Sequence, residues 1–260
     1  MEIVDISPDL EEKCFNCLAD EKSEWSIGVK RKEAWYRKMV KKGLRVKMAK
    51  DENGQVGGMI QYGPAENSFP GVKELFFVYC IWVKRDKKKK NFQKKGMGTA
   101  LLQAAEADVK AKEAKGLVVW GIKFPFWMKA SWFKKKGYHV IDKLGMAVLL
   151  WKSFAEDAIP PKWERPHKKP QRIPGKVVVT AFISGWCPVG NANVEFAKKA
   201  AEELGDNIVY EEINTLDHTN LKEWGITDSV LVDGKNIVKG PPLTYEKVKK
   251  KIRRRLKKLK

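Results

Sequence analysis

Residues able to do chemistry gather at three places in this chain. The first is "NFQKKGMGTALL", where Gln93, Lys94, Lys95, Gly96, Met97, Gly98 and Thr99 lead into an Ala/Leu-rich stretch. Glycines at a strand-to-helix turn let backbone N–H groups approach an anion closely, and the helix N-terminus behind them favours negative charge. The pattern is neither a P-loop, which ends in Gly-Lys-Ser/Thr, nor the three-glycine dinucleotide turn. It reads Gln-x-x-Gly-x-Gly, with lysines able to add charge for phosphates. A tight turn that holds no ligand is the plain alternative.

The second place is the nearly all-apolar run "ELFFVYCIWV" just before that turn. Glu74 at its start is a candidate base or a solvent-facing strand-end charge. Cys80 in its middle is a packed thiol or a covalent acyl-transfer residue. The third place is "ISGWCPVGN", where Cys187 falls between a strand and a helix. The positive end of a helix lowers a thiol's pKa, so Cys187 is a candidate reactive thiol. Cys14 and Cys17 make a "CFNC", but zinc needs a second pair or paired histidines, and the chain has three histidines in all. Two thiols on one helix face is the plainer reading, with a redox or metal role as the alternative. No metal site is expected.

These residues need elements to position them. "MEIVDI" reads as a short strand, and Ser7-Pro8 starts a helix running to about Asp20. "KEAWYRKMVKK" is a second helix, stopped by Gly43. "LRVKMAK" and "GQVGGMIQYG" flank "DENG" as a β-hairpin. The unalternating run from Glu74 to Val83 suits a central strand covered on both faces. Leu101, Ala105 and Val109, four apart, give the helix after Gly98 a packing stripe. "GLVVWGI" is a strand, "WMKASWFKKKGY" a helix ended by Gly137, and "HVIDKLG" and "MAVLLWKSF" two further strands. The Pro-rich stretch 156–176 reads as a linker, partly extended and draped on one domain. Beyond it come "VVVTAFI" (strand), "NANVEFAKKAAEEL" (helix), "IVYEEIN" (strand), a hairpin through Asp233-Gly234, and the basic helix "YEKVKKKIRRRLKK". The expected domains are 1–153, a linker 154–176, and 177–260.

The chain has 260 residues, enough for two cores. With 43% apolar and 32% charged residues it is of the globular and not the disordered class. No window approaches the roughly 18 apolar residues of a membrane span, and the start lacks signal-peptide regions, so a cytoplasmic protein is expected. Four scattered cysteines do not make a disulfide framework. The formal charge of +20 calls for an anionic partner or a heavily solvated surface. Nucleic acid, acidic protein and a phosphorylated cofactor all satisfy it. Nucleic acid ranks last, because the lysines are dispersed and no recognised binding motif accompanies them.

The Gln-x-x-Gly-x-Gly turn, the buried strand before it and the later "WFKKKGYHV" together resemble the GNAT acyltransferases over roughly residues 1–153. The resemblance implies an α/β fold, a mixed sheet whose central strand splays from its neighbour, and acetyl-CoA held by its diphosphate at residues 93–99. Backbone groups around Ile81 and Val83 would pair with the pantetheine arm, and an N–H there would polarise the thioester carbonyl. Orientation of an amine against the thioester, with a base taking its proton, then completes an N-acetyl transfer. The acceptor would be a small primary amine, a lysine or an N-terminal amine; the oligomeric state is open. A coenzyme-binding sensor or scaffold without rapid turnover is the alternative. The family's general-acid tyrosine position is Phe133 here, so Tyr138, Tyr79 or water would replace it. The loop "KRDKKKKNF" is longer than the family's, and it could reach the coenzyme's outer phosphate or an acidic substrate, or be solvated. "FPFWMKASW" is an acceptor pocket or core packing.

"Trp186-Cys187-Pro188" with its strand and helix resembles the thioredoxin/glutaredoxin fold. Gly190 stands where a dithiol enzyme carries its second cysteine, and Asp228 where the family has a cis-proline. A thioredoxin-like α/β domain with lost or altered redox function is expected. The two domains in this order resemble the YoaP-like acetyltransferases.

Overall fold

The computed structural model describes residues 1–19, 23–85, 92–124, 127–240 and 242–259. It divides into two units, one of Met1–Asp20 and Arg37–Trp163, the other of Glu21–Tyr36 and Glu164–Lys260. In the first unit β1 (Glu2–Asp5), α1 (Glu11–Phe15), the end of α2 (Val29–Val40), β2 (Arg45–Lys50), β3 (Val56–Pro64) and β4 (Leu75–Val83) come first. They are followed by α3 (Met97–Lys110), β5 (Gly116–Ile122), α4 (Ala130–Lys134), β6 (His139–Leu144) and β7 (Ala147–Ser153). The strands form one seven-stranded sheet in the order β1-β2-β3-β4-β5-β7-β6. Every neighbouring pair is antiparallel except β4 and β5, which are parallel. The expected α/β class with a mixed sheet is met.

α3 crosses from β4 to β5 and covers one face of that sheet. Met97, Leu101, Leu102, Ala105 and Val109 on the helix and Ile60, Tyr62, Val78, Leu117 and Val119 on the strands share one buried cluster. Each leucine, isoleucine, valine or methionine among them contributes about 1.5–3 kcal/mol when fully removed from water. Side chains alternate along a strand, so Met59 and Gln61, flanking Ile60, face the opposite side. On that side Phe77 meets Phe69 and Tyr79 edge-on, with ring centroids 5.7 and 5.3 Å apart.

α1 stops at Phe15, sooner than expected. The Leu18 amide donates to the Lys13 carbonyl, and Cys17 and Leu18 take positive φ, so the chain turns out of the helix without a glycine. Cys17 therefore lies beyond the helix and not on one face of it with Cys14.

The second unit holds β8 (Val177–Ile183), α5 (Pro188–Leu204), β9 (Ile208–Asn214), α6 (His218–Trp224), β10 (Ser229–Val232), β11 (Lys235–Asn236) and α7 (Tyr245–Leu256). Its four-stranded sheet runs β11-β10-β8-β9, with β8 and β9 parallel. α6 has no counterpart in the sequence reading, although Asp217 caps it by accepting from the Thr219 amide and Gly225 ends it in the left-handed region. On α7, Val248 and Ile252 are buried, so its apolar stripe packs while the basic residues line the rest of the helix.

Residues 21–36 also belong to this unit, which linear boundaries at 153 and 177 do not anticipate. The Asn191 side-chain amide donates to the Gly28 carbonyl at 3.1 Å. A Cβ on Gly28 would lie 2.1 Å from the Pro188 carbonyl oxygen, so only glycine allows this approach. Arg31 forks onto Glu212 at 2.6 and 2.9 Å and also bonds Glu195. The proline-rich stretch divides too: the Trp163 amide donates to Asp142 in the first unit, and the Arg165 carbonyl presses on Gly225 in the second.

Candidate active site

The parallel pair at the centre of the large sheet opens part-way along. β4 and β5 are in register only from Leu75↔Gly116 to Val78↔Val119. β4 continues to Val83 against β3, and β5 continues to Ile122 against β7. Opposite β3 the register passes from Gln61↔Cys80 to Tyr62↔Val78, which leaves Tyr79 as the extra residue of a β-bulge. The bulge therefore sits where the two strands part.

Backbone parity decides what the parted edge offers. The Lys84 amide donates to the Gly57 carbonyl at 2.8 Å, which makes Gly58↔Val83 a non-hydrogen-bonded pair of the β3–β4 ladder. Ile60↔Ile81, two residues on, is then of the same kind. The N–H and C=O groups of Ile81 and Val83 accordingly point away from β3, toward the edge that β5 has left. The Val83 carbonyl accepts from Gln93 Nε2 at 3.1 Å, so the first residue of the motif ties the strand end to the glycine turn. On the other strand, Trp120 reaches back across the gap and donates its indole N–H to the Tyr79 carbonyl at 2.8 Å. Trp127 meets that indole edge-on at 5.0 Å.

The turn itself presents bare amides. Gly96 caps α3 with φ +83°, in the left-handed region, and no heavy atom lies within 4 Å of where its Cβ would be. A side chain there would be strained by the backbone and would fill the open space in front of the helix. The first turn has no acidic residue and no side-chain cap, so the amides of Met97, Gly98 and Thr99 keep the positive end of the helix uncompensated. Lys94 and Lys95 are exposed beside it. A Cβ on Gly98 would make ordinary contacts, 3.5 Å from Trp132 and 3.7 Å from Val83, so packing alone does not demand glycine at that position. Behind the turn, Phe92 packs directly against Gly57 of β3: a Cβ on Gly57 would come within 2.2 Å of its ring.

The other side chains singled out from the sequence as acids or bases are bonded to partners of their own. Glu74 starts the opposite end of β4, roughly 23 Å away along seven residues of strand, and pairs with Lys115 at 3.0 Å. Tyr138 is buried and donates to Glu106 at 3.0 Å, and Glu106 also holds Lys152 at 2.9 Å. Burial, then the Glu106 charge, push its phenol far above the ordinary 10.0. Tyr79 donates to the Asn67 carbonyl at 3.0 Å, and burial raises its phenol too. Both tyrosines are protonated donors committed elsewhere, so neither is placed as a ready acid. Phe133 is fully buried between Trp132 and Tyr138. The aromatic stretch divides: Phe124 is 61% exposed, Trp127 and Trp132 flank the opening, and Pro125 and Phe126 lie outside the described residues. So does the lysine run at 87–90.

In the second unit Cys187 is the N-cap of α5 with Pro188 at the first helical position, and its thiol is half-buried. The position of a Cβ on Gly190 is 4.0 Å from Cys187 Sγ, so the replacement leaves space beside the thiol. Asp228 lies buried under the preceding turn and accepts from the Ser184 amide and hydroxyl and from Trp186 Nε1. Among the described residues no group of three or more His, Cys, Asp or Glu could hold a metal ion, and no helix is long and apolar enough to cross a membrane.

No family model and no curated protein matches the chain. Solved structures similar to it include a PaiA N-acetyltransferase from Thermoplasma acidophilum in complex with coenzyme A, 17% identical, covering 59% of this chain and 98% of that one with a TM-score of 0.41. A GNAT-family acetyltransferase from Brucella melitensis in complex with acetyl-CoA is 17% identical over 62% of this chain and 92% of its own, with a TM-score of 0.41. An aminoglycoside 6'-acetyltransferase type Ii is 14% identical over 61% of this chain and 100% of its own, with a TM-score of 0.45.

Proposed function

We propose that this chain is a GNAT-type N-acyltransferase that moves an acetyl group from acetyl-CoA to a primary amine by direct attack on the thioester. One observation carries the reading: the parting of β4 from β5 lies directly beside the glycine-capped, acid-free start of α3. The amides of Met97, Gly98 and Thr99 suit a diphosphate, with Lys94 and Lys95 for its charge. The edge groups of Ile81 and Val83 suit the amide-bearing arm of the coenzyme as a strand would. With the thioester along that edge, an Ile81 or Val83 N–H stabilises the oxyanion as the amine adds. The catalytic contribution is chiefly orientation, since the Tyr79 and Tyr138 hydroxyls and the Glu74 carboxylate are bonded to other partners.

The engagement of both tyrosine hydroxyls favours a second reading, a coenzyme-binding sensor that turns over slowly or not at all. The two are separated by one pair of measurements. Acetyl-CoA should raise the melting temperature of the protein, and a panel of primary amines should then release free thiol from it. No stabilisation by the coenzyme overturns both readings. Stabilisation with no thiol release from small amines, peptide N-termini or lysine peptides selects the sensor.

For the second unit we infer a thioredoxin-like domain of altered redox function, completing a YoaP-like, cytoplasmic arrangement. Support comes from the parallel β8–β9 pair joined by α5, the antiparallel β10 beside β8, and a single thiol at the head of α5.

A further inference from the structure

Cys80 is the residue of β4 that follows the bulge and immediately precedes Ile81. Consecutive Cα atoms are ~3.8 Å apart, so its thiol hangs next to the amide that borders the opening. The bulge also fixes its direction. Val78 packs toward α3 and Ile81 against the same cluster, while Cys80 stands opposite Gln61, whose side chain lies on the other face. That face is buried at Cys80 and carries a polar group only partly satisfied by its neighbours. Gln61 is fully buried, and its Nε2 has no hydrogen-bond partner among the described residues. Its Oε1 accepts from the buried Cys14 thiol at 3.8 Å, which orients the amide. Leaving such a donor unsatisfied costs about 1–3 kcal/mol, and native interiors rarely tolerate it. An apolar residue at this register position would avoid that cost.

We propose that Cys80 is an S-acylation site, which accepts the acyl group from the thioester bound along the β4 edge, and that Gln61 is its positioning residue. This rests on the coenzyme reading above. In the step, a bond forms between Cys80 Sγ and the acyl carbonyl carbon, and the bond from that carbon to the coenzyme sulfur breaks. The thiol proton ends on the departing sulfur, so one thioester replaces another and no oxidant or reductant is consumed. Gln61 Nε2 supplies a hydrogen bond on the face where sulfur or carbonyl oxygen carries the developing charge. The bulge matters because it sets Cys80 on the face opposite α3, while the Ile81 edge groups and the Val83 N–H stay directed to the donor.

The test is mass spectrometry of the full chain after incubation with acetyl-CoA and acid quenching, alongside its melting temperature with the coenzyme. The expected result is one acetyl group on the Cys80 peptide, removed by neutral hydroxylamine, which spares amides. Peptide mapping of the unmutated protein locates the adduct, so the outcome does not depend on a variant's folding. Cys80→Ala should abolish it, and Gln61→Met should slow its formation about tenfold while leaving stabilisation by the coenzyme intact. A protein that acetyl-CoA stabilises but that carries no acetyl at Cys80, or carries it on Cys14, Cys17 or Cys187 instead, overturns the proposal and leaves the coenzyme reading standing. A protein neither stabilised nor acetylated removes both.

Discussion

Each sheet of this protein contains one parallel pair joined by a helix, and the two pairs differ in one respect. β8 and β9 stay in register through seven residue pairs, from Val177↔Ile208 to Ile183↔Asn214. β4 and β5 keep four and then part. A closed parallel pair spends the facing backbone groups of its two strands on their shared ladder and leaves no gap between them, while Cys187 stands at the head of the helix that joins them. An opened pair frees a strand edge next to a helix N-terminus, and the proposed coenzyme reading uses the edge and the amides together. A glycine turn alone would not distinguish the first unit; the missing rungs beside it do.

The sharpest way to break this comparison is to put the same side chain at the head of each helix. Gly96→Val forces a β-branched residue into φ +83° and fills the open space before α3, so coenzyme affinity should fall by about a hundredfold or more. Gly190→Val in the first turn of α5 should leave that affinity unchanged. Calorimetric titration of both variants decides it, and equal losses would mean that the effect is general destabilisation. A smaller effect separates the fold of the large unit from its chemistry. Tyr138→Phe removes the bond to Glu106 and should cost about 1 kcal/mol in denaturant unfolding without slowing thiol release. A large loss of rate would return Tyr138 to the catalytic role its position does not support.

A last test concerns the turn after β8, where Asp228 is bonded by Ser184 and Trp186. Burial raises the Asp228 carboxyl above its ordinary 3.8, against the bonds from Ser184 and Trp186 that lower it. A folded pKa above the unfolded one means that the folded unit binds the proton more tightly. Stability relative to Asp228→Asn should therefore be greatest below about pH 3.8 and decline as pH rises through the raised value. Unfolding both proteins across the acid range measures the difference, and a flat or rising profile would mean that the three donors outweigh burial.

Most of the elements were legible because their signals are local. The β4 run, the α3 stripe and the Gln93–Gly98 turn each declare themselves within a dozen residues. α6 was legible in principle from Asp217 and Gly225, but seven residues give too short a period to stand out. The assignment of 21–36 to the second unit was not legible, since Gly28 meets Asn191 and Arg31 meets Glu195 across more than a hundred and sixty residues of chain. The roles offered for Glu74, Tyr79 and Tyr138 failed to converge for the same reason: a residue type says what a side chain can donate, and only its neighbours say to whom.

Composition, apolar spacing and glycine positions thus determined which segments become strands and helices, because backbone sterics and burial act over a few residues. Tertiary structure alone decided where β4 leaves β5, that a bulge at Tyr79 turns Cys80 to Gln61, and that both tyrosine hydroxyls are already engaged. Those outcomes depend on register and side-chain partners supplied by distant strands, and no single stretch of sequence carries them.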